Sequence, residues 1–310
     1  MDLLHCDTQI KLFIQVILYY YMSYSAEISR THPALFGFLI DESYSMEEEM
    51  DGAGGQTLSQ ICADYLNAFF NTLLLRNIDG ESIKNRFEIF AIGYGGSNET
   101  RSALPSVNVS DMPINLEQLQ KISISEKREK KIIKKEPDGA GGIIEREDTV
   151  WVEQPKWIEA THNGNTPMGL AFREALQITE KWVSSHSESF PPIIINITDG
   201  MYNDEDPEPI AENLKMLSTA DGEVLVFNIH ITHNAGTNSV LFPDDSYLDN
   251  VPDQTSELLY RMSSYLTENM IKYALSRDKQ ISQSAKGFAY NADFSSFVDF
   301  LDIGTRPAQD

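Results

Sequence analysis

Ala34-Leu35-Phe36-Gly37-Phe38-Leu39-Ile40-Asp41-Glu42-Ser43-Tyr44-Ser45 begins with an unbroken apolar run and ends on acids and hydroxyls. Such a run, with no polar alternation, is the pattern of a strand buried on both faces. A second run, Ile193 to Ile197, ends the same way at Thr198-Asp199-Gly200. Each strand therefore delivers a carboxylate to the point where the backbone leaves the sheet. In an open α/β sheet, ligands bind at that carboxyl edge.

Helical periods separate and follow these strands. Leu58, Ile61, Cys62, Tyr65, Leu66, Phe69, Phe70, Leu73 and Leu74 keep i, i+3, i+4, i+7 spacing, which predicts a long amphipathic helix. Arg86 to Tyr94 reads as a strand and Pro167 to Val183 as a helix. Ile210 to Leu217 reads as a short helix, Val224 to Ile231 as a strand and Gln254 to Leu275 as one long helix. Phe288 to Tyr290 and Phe294 to Leu301 close the chain as a short strand and a helix. The alternation predicts an α/β fold: a doubly wound, mostly parallel central sheet flanked by helices on both faces.

Residues 97–150 break the pattern and read as an insertion, partly hairpin, with a short helix near Glu117 to Ile124. Its basic run of Lys127, Arg128, Lys130, Lys131, Lys134 and Lys135 precedes an acidic stretch. A self-neutralising hairpin is the reading preferred to a grip on an acidic partner. The expected organisation is an N-terminal extension at 1–30, one domain at 31–306 carrying this insertion, and a tail at 307–310.

The 310 residues are 41% hydrophobic, enough for one substantial core. A net charge of -23 repels phosphate backbones, so nucleic acid is not an expected partner. The two cysteines, Cys6 and Cys62, form no disulfide framework or zinc spacing, which suits a reducing compartment. The apolar run Leu12 to Tyr21 is short for a membrane span and poorly followed for a signal peptide. A start at Met22, and a cytoplasmic protein with no membrane partner, is the preferred reading.

Alternate residues leaving the first strand can turn Asp41, Ser43 and Ser45 towards one point. A third loop, Asn163-Gly164-Asn165-Thr166-Pro167-Met168, opens a helix and brings Thr166. With Asp199 the set is two carboxylates and three hydroxyls, all hard oxygens. Such donors suit one divalent cation, Mg2+ first, with Mn2+ or Ca2+ as alternatives, and not zinc or copper. The neutral hydroxyls leave the ion electrophilic and able to accept an outside carboxylate. A turn at Asp199-Gly200 and a helix cap at Thr166 are the plainer readings of those two positions, and both are compatible with ligation.

FLIDESYSM at 38–46 resembles the Asp-x-Ser-x-Ser metal-ion-dependent adhesion motif of von Willebrand factor A domains. GNTPMG resembles that family's threonine loop, and INITDG its second aspartate loop. The resemblance spans about residues 32–306. It implies Ser43, Ser45 and Thr166 as direct metal ligands, with Asp41 and Asp199 binding directly or through water. It also implies a protein partner that supplies an Asp or Glu carboxylate, and no catalytic residue. Tyr44 departs from the pattern, standing where glycine is common. The stretch from Met22 onward is also similar to bacterial intracellular members of tellurite-resistance and stress clusters, which implies a kinase, a 2C-type phosphatase or an AAA+ ATPase nearby.

Asp204, Glu205, Asp206 and Glu208 read as a solvated acidic loop rather than an enlarged cation site. His162, His230 and His233 are scattered, and His230 reads as a satisfied core histidine. Two alternatives remain: a magnesium-dependent phosphohydrolase using Asp41 as phosphoryl acceptor, and a membrane-anchored adhesion protein if residues 12–21 insert.

Overall fold

Strand β1 (Ala34–Glu42) is buried at every residue and pairs in parallel along both edges. Neither face meets water, which is why its sequence does not alternate. The computed structural model describes residues 24–51, 53–137, 143–233, 239–292 and 294–304. The Leu12–Tyr21 run and the Met22 start lie outside the described residues. Helix α1 (Leu58–Arg76) follows, opened by a reciprocal box between Thr57 and Gln60. Cys62 is buried within it as a small core residue.

Then come β2 (Phe87–Gly95), β3 (Glu99–Ser102), β4 (Ile114–Asn115), α2 (Leu116–Lys121), β5 (Ile124–Pro137) and β6 (Ile143–Lys156). The second half holds α3 (Met168–Ser185), β7 (Ile193–Thr198), α4 (Glu208–Lys215), β8 (Leu225–His230) and β9 (Val240–Leu241). It ends with α5 (Gln254–Met262), α6 (Glu268–Ser276), β10 (Phe288–Tyr290) and α7 (Phe294–Gly304). The main sheet runs β9-β10-β8-β7-β1-β2-β3, with β4 also on β2. Its centre, β10-β8-β7-β1-β2, is parallel, and β3, β4 and β9 add antiparallel strands. The mixed α/β fold with a largely parallel sheet is the expected one. From β1 the chain steps to β2 on one side and later returns to β7 on the other, so the winding reverses between β1 and β7.

Successive side chains project to opposite sides of each strand. Phe36 and Phe38 of β1 meet Phe69 and Phe70 of α1, and Phe227 of β8 meets Phe300 of α7. From alternate positions, Glu88 of β2 accepts the Trp182 indole N–H of α3, and Asn228 of β8 reaches Ser263 at the end of α5. Among the described residues no helix is long and apolar enough to cross a membrane.

Two expectations change. The single helix expected over Gln254–Leu275 is broken into α5 and α6. The break is made by neighbouring elements: the Ser264 N–H donates to the Val226 carbonyl, and the Ser264 hydroxyl oxygen accepts the Val226 N–H. The Leu266 N–H donates to the Ala285 carbonyl, and Thr267 caps the new helix at the Met270 N–H. Leu258, Leu259, Met262, Leu266, Met270 and Ala274 are all buried, so apolar spacing runs unbroken through the interruption.

The irregular stretch also has different limits. β3 and β4 belong to the main sheet, and Ala103, Leu104, Ile114, Leu116 and Leu119 are core residues. Within this stretch β5–β6 stands apart from the main sheet as a two-stranded ribbon. It runs on through Lys156, so the core resumes at buried Trp157 and not at exposed Trp151. The basic run is neutralised across the ribbon by Lys131–Glu147, Lys134–Asp148 and Lys135–Glu145. These exposed pairs contribute little stability.

Arg128 ties the ribbon's base to Asp64 of α1 at 2.7 Å. Asn67, one turn on, accepts the N–H groups of Trp157 (2.7 Å) and Ile158 (2.9 Å) and donates to the Ile158 carbonyl (2.9 Å). We expect Asn67→Ala, which orphans these buried groups, to lower unfolding free energy by about 3 kcal/mol in urea titration. Replacing the ribbon beyond Arg128 and Val152 with a tight turn should change it by less than about 1 kcal/mol. The opposite ranking would contradict this account of the insertion.

Candidate metal centre

Ile40 and Ile197 are register partners in the parallel pair β1–β7, so Asp41 and Asp199 leave the sheet side by side. Asp41 is 1% exposed. Its Oδ1 accepts the Ser43 N–H at 2.8 Å, and its Oδ2 accepts the Thr198 hydroxyl. The Ser43 and Ser45 hydroxyl oxygens lie 3.1 Å apart, and the Ser45 hydroxyl donates to Asp199 Oδ1 at 2.9 Å. A hydroxyl chain thus leads from Ser43 through Ser45 to Asp199. Four of the five expected donors come together in this way.

The fifth stands in a loop strapped to the same edge. The Asn163 N–H donates to the Glu42 carbonyl (2.6 Å), the Tyr44 N–H to the Gly164 carbonyl (3.0 Å) and the Asn165 N–H to the Gly96 carbonyl (2.8 Å). Gly164 is required there: its φ is +70°, and a Cβ would lie 2.0 Å from the Gly96 carbonyl oxygen. Thr166 follows, buried. Asn203 accepts its N–H at 2.9 Å and donates a backbone N–H to its carbonyl at 3.2 Å, which ties this loop to the Asp199 loop. Among the described residues the Thr166 hydroxyl makes no hydrogen bond.

Tyr44 begins a short 3-10 turn, Tyr44–Glu47, without entering the left-handed backbone region. No glycine is needed between the serines. Its side chain is 67% exposed, so it stands at the rim of the site.

Burial pushes both carboxyls up from the usual carboxylate range. Asp199 reaches about 7, through desolvation first and the Asp41 charge second. Asp41 is raised by burial against the pull of its Ser43 and Thr198 hydrogen bonds. Among the described residues no lysine or arginine pairs with either one. A buried acid and a half-buried one beside it, without a basic partner among the described residues, are costly as anions, and a cation relieves that cost. The donor chemistry therefore fits a hard divalent ion: two carboxylates, two linked serine hydroxyls and an unbonded threonine hydroxyl. Among the described residues no group of three His, Cys, Asp or Glu side chains is placed to hold a metal, so this set rests on its hydroxyls.

Several contributors are ones that sequence reasoning missed. Thr198 holds Asp41, and its position directly before Asp199 was a usable signal. Buried Glu42 carries a two-pronged pair with Arg101 of β3, at 2.6 and 2.7 Å. Arg101 lies in the stretch read as an insertion and carries no motif. The acidic loop is committed elsewhere. Asp204 caps α3 by accepting the Gly169 and Leu170 N–H groups (3.1 and 2.9 Å), and Glu205 pairs with Arg173. Asp206 accepts the Glu208 N–H at 3.0 Å, and Glu208 pairs with Arg261 at 2.9 Å. His230 is the satisfied core histidine expected, 2.9 Å from the Ser256 hydroxyl and 3.3 Å from the Asp199 carbonyl.

No family model matches this sequence, and no curated protein matches it. Among solved structures the chain is similar to the vWF domain of the type V pili tip protein Mfa5 from Porphyromonas gingivalis. The identity is 16% and the TM-score 0.29, over 55% of this chain and 39% of that one. The chain thus spans well under half of that structure's length.

Because Asp41 and Asp199 are raised, the metal-free fold keeps protons there that the unfolded chain has already released. Stability then falls as pH rises through the folded values. We expect the Tm of chelator-treated protein to drop by about 5 °C between pH values of about 5 and about 8, with a smaller drop in Asp199→Asn. A Tm that rises over this range, or a slope unchanged by the substitution, would contradict the electrostatics described.

Proposed function

We propose that this chain is a von Willebrand factor A-type domain that captures a protein partner through one divalent ion. Asp41, Ser43, Ser45, Thr166 and Asp199 hold the ion, Mg2+ in preference to Mn2+ or Ca2+. The observation that carries this reading is the hydroxyl chain of Ser43 and Ser45 between buried Asp41 and half-buried Asp199, which have no basic partner among the described residues. It lies where the winding of the sheet reverses, the general ligand position of open α/β sheets. The doubly wound layering, with α1 and α7 on one face and α3 and α5 on the other, is part of the same reading and agrees with the alternating contacts of β1, β2 and β8.

When bound, the ion supplies a Lewis-acidic position open to a partner's Asp or Glu carboxylate. The protein's contribution is preorganisation. The Ser43 N–H and the Thr198 hydroxyl hold Asp41 still, Asn203 fixes the Thr166 backbone, and the neutral hydroxyls would add no negative charge beyond the two carboxylates, which would leave the ion electrophilic. Exposed Tyr44 offers an aromatic contact beside it. We propose binding without catalysis. Each Asp41 oxygen already accepts a hydrogen bond and the residue is 1% exposed, which favours a ligand over a phosphoryl acceptor. The resemblance to bacterial stress-cluster proteins makes a kinase, a 2C-type phosphatase or an AAA+ ATPase the first partners to test.

Calorimetric titration with Mg2+ and Mn2+ should show one site, weakened at least about tenfold in the Ser43→Ala/Ser45→Ala double variant. The metal-free Tm of that variant should stay within about 3 °C of the parent. Partner capture from a host lysate should disappear with chelator and with the double variant. Capture that survives both would overturn the proposal. Magnesium-dependent turnover of a phosphomonoester, lost in Asp41→Asn, would replace it with the hydrolase reading.

A further inference from the structure

A cavity of about 490 Å³ lies between α3 and the Val109–Pro113 segment, and none of the metal-centre residues lines it. Two carboxylates do, Glu174 and Glu88. The Thr100 hydroxyl donates to Glu174 Oε1 at 2.6 Å, while Glu174 Oε2 is buried with no hydrogen-bond partner among the described residues. The Trp182 indole N–H donates to Glu88 Oε2 at 2.7 Å. Each carboxylate is therefore steadied by one neutral donor and keeps its other oxygen. No ion pair engages either one among the described residues; exposed Lys181 lines the same cavity without pairing with them. A buried carboxylate oxygen left without a donor is costly, and an ammonium group supplies what it lacks.

The wall between the two acids is mixed, with Gln177 and Lys181 beside apolar residues. Ile178, Met112 and the buried indole of Trp182 line it, and that indole stacks on His186 at 4.4 Å. Glu174 and Trp182 are eight residues apart on α3, about 12 Å along the helix axis. The cavity thus has an anionic group towards each end, with the apolar surface of Ile178, Met112 and Trp182 along part of the span between them. Its volume is that of a small-ligand site. Glycols, sugars and anions do not match this pattern. A flexible chain with a positive charge at each end does, and the net charge of -23 would concentrate such ligands around the protein.

We propose that this cavity binds a linear aliphatic diamine or polyamine, with one ammonium at Glu174 and another at Glu88. The site does not depend on the metal centre and stands or falls separately from it.

The test is titration of the full chain with 1,5-diaminopentane and spermidine, read by calorimetry and Trp fluorescence at moderate salt. We expect saturable one-site binding, at least about tenfold tighter than 1-aminopentane. Glu174→Gln, which keeps an oxygen for Thr100, and Glu88→Gln should each weaken it about tenfold or more. Ser110→Trp, an exposed change at the lining, should block it without touching the core. Glu180→Gln, an exposed acid on α3 outside the lining, should leave binding unchanged, as should Ser43→Ala/Ser45→Ala. Absence of saturable binding at millimolar amine would overturn the proposal. So would equal losses in Glu174→Gln and Glu180→Gln, which would mark a counterion effect. Tighter binding of a lysine-rich peptide than of either amine would overturn the assignment to a free amine.

Discussion

Asp41 sits near the end of a strand buried at every residue, almost wholly removed from water and, among the described residues, without a basic side chain paired with it. The groups around it answer that constraint. A backbone N–H and a threonine hydroxyl satisfy its oxygens, and the two serines extend the hydrogen bonding outward to Asp199. Desolvation raises both carboxyls, and among the described residues no lysine or arginine offsets it. Removing either of these acids would be expected to ease the fold, since unpaired buried charge opposes stability. That a fold tolerates the pair at the reversal between β1 and β7 is the physical reason to read the place as a cation site.

The surroundings show how the edge is kept rigid enough to serve. Four segments from distant parts of the chain are laced by backbone hydrogen bonds through Glu42, Gly96, Gly164 and Asn203. Beneath them, the Tyr94 hydroxyl donates to Asn196, Asn196 donates to Asn228, and Asn228 donates to Ser263. This buried polar row links β2, β7, β8 and the end of α5. A fully satisfied network of this kind fixes one arrangement of strands against helices, at the risk of a steep loss if one member is removed. Ser263 and Ser264 also end α5, so the interruption of the long helix and the alignment of the sheet share one cause.

The acidic character of the chain is organised by its contacts. Asp204 serves a helix N-terminus, Glu205 and Glu208 serve arginines, and Glu42 holds Arg101. The ribbon β5–β6 cancels its own basic run. Among the described residues the paired aspartates have no lysine or arginine beside them, and Glu174 keeps one buried oxygen without a donor. Those are the positions where chemistry beyond stability is to be sought.

The alternating apolar runs and helical periods identify an α/β fold with a largely parallel sheet, and the polar loops that follow them make Asp41, Ser43, Ser45, Thr166 and Asp199 the candidates. That was legible because a strand buried on both faces must be apolar throughout, and because polar residues directly after it must lie at the sheet edge. The break at Ser263, the core role of residues 99–121 and the extent of the ribbon were not legible. They depend on hydrogen bonds to Val226, Ala285 and Ala91 that local spacing does not encode. Arg101 was equally hidden, since its partner is 59 positions away in sequence. Local pattern therefore determined which residues reach the edge. Only the tertiary structure decided which of them meet, because strand order and long-range hydrogen bonds, not spacing along the chain, set that proximity.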